Sequence, residues 1–256
     1  MIFVTVVISS FFASLLTLFS GFGLGTLLMP VFALFFPLPL AIGMTAVVHL
    51  ANNLFKLFLL GKFADKEIVM RFGLPAIASA YLGAWCLNGF SILKPIFYYT
   101  IGTKTAEITY LNLVLAGLMV LFALVEMLPF FKGLAFDKKY LGLGGVLSGF
   151  FGGLSGHQGA LRSAFLIRCN LTKETFIGTG VVIACLIDFT RLFAYGSRYN
   201  NFRAEHLPLL ITAILAAFLG AWLGNRYLKK TTLNNIQLLV AIMLLVIASL
   251  LALGLI

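Results

Sequence analysis

Charge is what this chain has least of. Asp, Glu, Lys and Arg make up only 10% of its 256 residues, against about 25% in an ordinary soluble domain, so no stretch is polar enough to stand as a separate soluble domain. Cysteine is scarce as well. Cys86, Cys169 and Cys185 are an odd number, set in apolar surroundings without ligand spacing, which argues against a disulfide framework or a structural zinc site. No HExxH, GxSxG or Walker pattern occurs, and no nucleophile, base and orienting residue fall into a recognisable set. The first twenty residues contain no Lys or Arg; lacking a basic n-region, they read as a mature helix rather than a signal peptide. No transit-like or lipidation pattern is present, and the plainest location is a bacterial or archaeal plasma membrane.

What fills the chain instead is apolar. Hydrophobic residues make up 61% and the mean hydropathy is +1.08, the composition of a polytopic, all-α membrane protein. Apolar runs at 108–127, 209–223 and 237–256 approach or reach the roughly 20 residues that span a bilayer core. Periodicity divides the chain into ten segments: 2–20, 26–37, 39–60, 68–88 and 108–129, then 140–152, 158–168, 174–195, 205–227 and 234–256. Segment 26–37 would be a helix of only about 18 Å, so a half-helix or a broken hairpin is expected there.

The segments come in two sets of five because the sequence repeats itself. Ile42, Gly43, Asn53, Lys56 and Gly61 recur 135 residues later as Ile177, Gly178, Asp188, Arg191 and Gly196. Leu82-Gly83-Ala84-Trp85 returns as Leu219-Gly220-Ala221-Trp222. The expected organisation is a first membrane repeat at 1–130, a basic linker at 131–139 and a second repeat at 140–256. Broken segments at matching positions of two halves point to a transporter binding site.

Basic residues are distributed unevenly along this plan. If all ten segments cross, Lys62, Lys66, Arg71, Lys132, Lys138, Lys139, Arg168, Lys173, Arg226, Lys229 and Lys230 fall on one side, and Lys94, Lys104, Arg198 and Arg203 on the other. That bias favours ten crossings with both termini outside. Five crossings per half would make the halves an inverted repeat. The net charge of +10 then reads as topology and lipid-headgroup signals rather than nucleic-acid binding.

Two features bear on chemistry. His49, Asn52, Asn53 and Lys56 stand at i, i+3, i+4 and i+7, a polar stripe on one face of an otherwise apolar helix; Asp188 and Arg191 stand at the places of Asn53 and Lys56 in the second copy. Ionisable groups in a membrane helix face a bundle interior, a cavity or a partner. Each half also has a Gly-rich break before a short segment. The first runs Ser20-Gly21-Phe22-Gly23-Leu24-Gly25-Thr26, and the second Gly152-Gly153-Leu154-Ser155-Gly156-His157-Gln158-Gly159, with Arg162 following. A helix that starts at such a break presents free N–H groups, and two starts meeting near the midplane would bind an anion. Lys104 and Glu107 fall in a loop, and Glu126 lies at a segment end.

The Gly-rich break with Pro30, then Ala41-Ile42-Gly43-Met44-Thr45, the whole arrangement repeated over nearly the full chain, resembles the TauE/SafE family of sulfite exporters and related anion transporters. The resemblance implies export of sulfite, sulfonates or sulfoacetate across the cytoplasmic membrane. The second half departs from the family pattern, with His157, Gln158 and Arg162 where a glycine cluster followed by proline is usual. The expected function is a secondary transporter of a small anion, working by alternating access, with no catalytic residue, no cofactor and no metal. Substrate binding is expected of Gly23, Gly25, Thr26, His49, Asn52, Asn53, Lys56, Gly153, Ser155, Gly156, His157, Gln158, Arg162 and Arg191, and coupling of Asp188. A coupling proton or sodium and a second copy of the chain are further candidate partners beside the lipid bilayer. The alternative is a membrane-embedded metal-dependent enzyme using His49, His157 and Asp188.

Overall fold

The computed structural model describes residues 1–20, 23–102, 104–127, 135–196, 203–227 and 234–256. Gly21, Lys132, Arg198, Lys229 and Lys230, which entered the expectations above, lie outside the described residues. Within them are ten α-helices: α1 (Ile2–Ser20), α2 (Leu24–Ala33), α3 (Leu38–Leu60), α4 (Lys66–Ser91), α5 (Tyr110–Met127), α6 (Leu141–Ser155), α7 (Gly159–Leu166), α8 (Lys173–Gly196), α9 (Leu207–Tyr227) and α10 (Asn234–Ala252). The protein is an all-α, multi-pass membrane protein. Four helical stretches are long and apolar enough to cross a bilayer by themselves, Leu38–Phe63, Lys66–Ser91, Lys173–Gly196 and Ala204–Gly224. Outward faces carry Phe58, Trp85, Phe193 and Trp222 exposed, as suits a surface solvated by lipid rather than water.

Local chemistry explains the helix boundaries. Pro37 caps α3 from an extended conformation, so the segment expected at 26–37 ends as a helix at Ala33. Asp65 caps α4 by accepting from Ile68 N at 2.9 Å. Gly156 closes α6 in the left-handed region at φ 86°, where a Cβ would be strained. One element departs from the expected loop around Lys104 and Glu107. Phe97–Ile101 (β1) and Lys104–Ile108 (β2) form an antiparallel hairpin, with Tyr98 opposite Glu107 and Ile101 opposite Lys104. Tyr99 OH donates to the Leu253 carbonyl, which ties the hairpin to the end of α10.

Helices α2 and α7, of ten and eight residues, are about 15 and 12 Å long, half a bilayer core at most. The expectation that every segment crosses is corrected at α7, which doubles back along α6. Gly144 near the start of α6 faces the ring of Phe165 near the end of α7. Phe136 N donates to Ala164 O at 3.1 Å, and Arg168 pairs with Asp137 at 3.4 Å, so the pair leaves at the end of the bundle where it entered. The cause is the left-handed turn at Gly156 together with the missing side chain at Gly144, which gives Phe165 its place. A pair that turns back uses an even number of passes, as a pair that crosses twice does. The ends on which the flanking cations fall are therefore unchanged. Lys62, Lys66, Arg71, Lys138, Lys139, Arg168 and Lys173 share one end, where Lys138 reaches Glu67 of α4 at 3.3 Å.

Packing is made twice. A Cβ on Gly83 of α4 would lie 2.1 Å from Phe150 O and 2.9 Å from Leu154 N of α6; one on Gly220 of α9 would lie 2.3 Å from Phe11 O and 3.1 Å from Leu15 N of α1. The repeated Leu-Gly-Ala-Trp motif is thus a close backbone approach between helices, used once in each half. Helices α3 and α8 run antiparallel through the centre: Gly178 packs on Leu60 O, while Asp188 meets Asn53. The short helices start at this crossing.

Candidate functional site

The polar stripe of α3 turns inward. His49, Asn52, Asn53 and Lys56 are each at most 6% exposed, and Asp188 and Arg191 of α8 are wholly buried. Such groups are stable inside a bilayer only when paired with one another or with a ligand. Asp188 is the hub of that pairing. Its Oδ2 accepts from His49 Nδ1 at 2.6 Å and from Asn53 Nδ2 at 2.9 Å. Its Oδ1 accepts from Gln158 Nε2 at 3.0 Å and Arg191 Nε at 3.0 Å. Residues 53 and 188, matched by the repeat, touch each other across the centre.

The network extends to both sides. Gln158 precedes α7, and its Oε1 accepts from Arg162 Nη1 at 3.1 Å. With the Asn52 amide oriented to satisfy its neighbours, Oδ1 accepts from Lys56 Nζ at 3.1 Å and Nδ2 donates to Ser14 Oγ at 3.0 Å and Ala217 O at 3.3 Å. Lys56 therefore has a neutral partner rather than an acidic one. Lys56, Arg162 and Arg191 surround a single carboxylate, Asp188, so the centre carries a surplus of positive charge.

The two Gly-rich breaks meet here. A Cβ on Gly25 would sit 3.4 Å from Gly156 O, and one on Gly23 would sit 3.4 Å from His49 Nε2. Arg191 Nη1 lies beside Gly156, 2.6 Å from where its Cβ would be. Thr26 is buried in the first turn of α2. The start of α2 and the residues just before α7 thus converge on the hub, bringing partial positive charge to a cation-rich centre.

Not every expected residue points at this centre. Gly153 faces α4, where its Cβ would be 2.0 Å from Ala80 O, and its carbonyl accepts from Tyr195 OH. Ser155 donates to Phe151 O at 3.0 Å and meets His157 Nδ1 at 2.9 Å. The His157 ring stacks on Phe122 of α5, with centroids 5.2 Å apart and planes 5° apart. His157 thus stands apart from the His49–Asp188 pair. Among the described residues, no three His, Cys, Asp or Glu side chains form a metal-binding group.

Sequence reasoning passed over Ser14, Phe122 and Tyr195. Ser14 was within reach of the argument applied to α3: Ser10, Ser14 and Thr17 stand at i, i+4 and i+7 and are all buried, a polar stripe on α1. Phe122 and Tyr195 carry no such signal, since an aromatic residue in an apolar helix looks like packing.

Comparison with known proteins completes the assignment. No curated protein and no solved structure matches the chain. The family described as sulfite exporter TauE/SafE matches residues 6–251, nearly the whole length. The chain belongs to that family, and is accordingly a membrane transporter of the sulfite-exporter type and not an enzyme.

Proposed function

We propose that this protein exports a small sulfur oxyanion, sulfite or an organosulfonate, across the plasma membrane by alternating access. The observation that carries the reading is the cation surplus at the meeting of the two Gly-rich breaks. Three cationic side chains and the start of a half-helix around one carboxylate leave room, in charge, for an anion. Gly23, Gly25 and Thr26 bring the opening of α2 to the anion, Gly156 and Gln158 bring the approach to α7, and Arg162, Arg191 and Lys56 supply charge. Asn52, Asn53, Ser155 and His49 hold these groups in position, and Gly153 keeps α6 close against α4.

Alternating access rests on the halves 1–130 and 140–256, joined by the basic linker 131–139, acting as an inverted pair. The antiparallel α3 and α8 and the doubled glycine contacts support that arrangement. With the Lys- and Arg-rich end cytoplasmic, both termini lie outside. Rocking of one half against the other would expose the hub to each side in turn. Asp188 is the coupling group of this scheme. Export itself requires no coupled ion, because an inside-negative potential favours anion exit by about 2.3 kcal/mol per charge per 100 mV.

The test is efflux of sulfite from proteoliposomes with an imposed potential. A rate that rises with interior-negative voltage and disappears in Arg191→Gln supports the reading. Voltage-insensitive release, or release unchanged in the variant, refutes it.

A further inference from the structure

Among the described residues, two buried groups, one in the hub and one beside it, lack hydrogen-bond partners, and their chemistry is opposite. Arg191 Nη1 has no acceptor. Its neighbour Nη2 lies 2.9 Å from Asp188 Oδ1 in the ion pair but is not aligned to donate to it. These are donors in want of negative oxygen. The other group is His157 Nε2, buried and without a partner, and its character follows from its neighbours. Ser155 has one hydroxyl proton, which it gives to Phe151 O at 3.0 Å. The 2.9 Å contact between Ser155 Oγ and His157 Nδ1 therefore requires the proton on Nδ1. In the neutral ring, Nε2 is then a bare lone pair, an acceptor in want of a proton.

The two groups share one neighbourhood. His157 directly follows Gly156, the residue against which Arg191 Nη1 lies. From α5 the ring meets Phe122 and from α6 it meets Ser155, so neither supplies a second charge. Leaving either buried group unpaired is costly. A ligand that satisfies both must offer negative oxygens to Arg191 and an O–H to His157.

We infer that Arg191 and His157 together select a monobasic oxyanion that still carries one acidic hydroxyl, of the hydrogen-sulfite type, so that a proton accompanies each anion. This rests on the transport reading above and specifies its substrate. No bond to hydrogen breaks: the proton stays on the anion's oxygen and is hydrogen-bonded to Nε2. Arg162, the cation nearest the second Gly-rich break in sequence, is engaged by Gln158 and plays no part in the choice.

Anion binding to the purified full chain tests this, with sulfite compared against methanesulfonate, a monoanion whose three sulfur-bound oxygens carry no proton and whose methyl group stands where sulfite has its sulfur lone pair. At a pH where sulfite is mostly hydrogen sulfite, it should bind about tenfold more tightly, the usual penalty for leaving a buried polar atom unpaired. Raising the pH through the second ionisation of sulfite should remove that advantage and leave methanesulfonate binding unchanged. His157→Phe should equalise the two anions. Equal binding of the two anions by the unaltered protein overturns the inference and leaves the transport reading standing. So does parallel tightening of both as pH falls, which would mean a doubly protonated ring. Folded protein that binds neither anion overturns both.

Discussion

Asp188→Asn exchanges one oxygen for an NH2 group and removes the only negative charge at the centre among the described residues. In the structure, four donors are aimed at the oxygens of this carboxylate. Whichever oxygen is replaced, an amide nitrogen then faces His49 and Asn53 or Gln158 and Arg191. Arg191, fully buried, loses its counter-ion. Removing one partner of a buried ion pair costs about 3–5 kcal/mol, mostly because the remaining charge is stranded. Unfolding by SDS titration in mixed micelles should therefore report a loss of that order. The double variant Asp188→Asn with Arg191→Met should recover most of it, since the one cation paired directly with Asp188 is removed as well. Sulfite should stabilise Asp188→Asn more than the unaltered protein, because an anion can take over the neutralising role of the carboxylate. If Asp188→Asn unfolds within about 1 kcal/mol of the parent, or if the double variant is the less stable of the two, the hub is not the electrostatic keystone described here.

Other substitutions probe the same architecture. Gly156→Ala meets both a left-handed backbone and Arg191 Nη1 at 2.6 Å; sulfite efflux should fall at least tenfold by a proteoliposome assay, at roughly 1–3 kcal/mol of backbone strain. Gly83→Ala and Gly220→Ala should each destabilise by similar amounts, because each forces apart a helix pair whose backbones touch. Gly117→Ala, at an α5 position with open space, should be neutral or stabilising by up to about 1 kcal/mol, and melting curves of the three side by side decide the matter. Thr179→Val removes the acceptor for Asp65 N, 2.8 Å away; a loss of about 1 kcal/mol with unchanged sulfite binding is expected.

The helices were legible where apolar runs are closed by strong punctuation. Segments 2–20, 39–60 and 174–195 match α1, α3 and α8 to within one residue at each end, since glycine, proline or charged residues bound them. The hairpin at 97–108 was passed over although Phe97-Tyr98-Tyr99-Thr100-Ile101-Gly102 has the aromatic and β-branched character of a strand entering a turn. In so apolar a chain, a short polar interval reads as a connection. The path of α7 was not legible at all. Its return depends on whether a phenylalanine 21 residues away fits over Gly144, and that is decided by tertiary packing. For the hub, the repeat named Asn53 and Asp188 as counterparts but could not say that counterparts touch. They do so because both lie where the two antiparallel helices cross.

That the two halves hold each other together has a bearing on biosynthesis. Helix α1 packs its backbone on α9 and α3 keeps its polar stripe against α8, and both of these partners leave the ribosome more than 100 residues after the helices they cover. Until then His49 and Asn53 must wait in the insertion machinery or in lipid without Asp188, the partner that satisfies them. The nascent first half is therefore an unfinished client. The order in which this sequence is translated leaves the inward face of α3 without α8 until more than 100 further residues have been made.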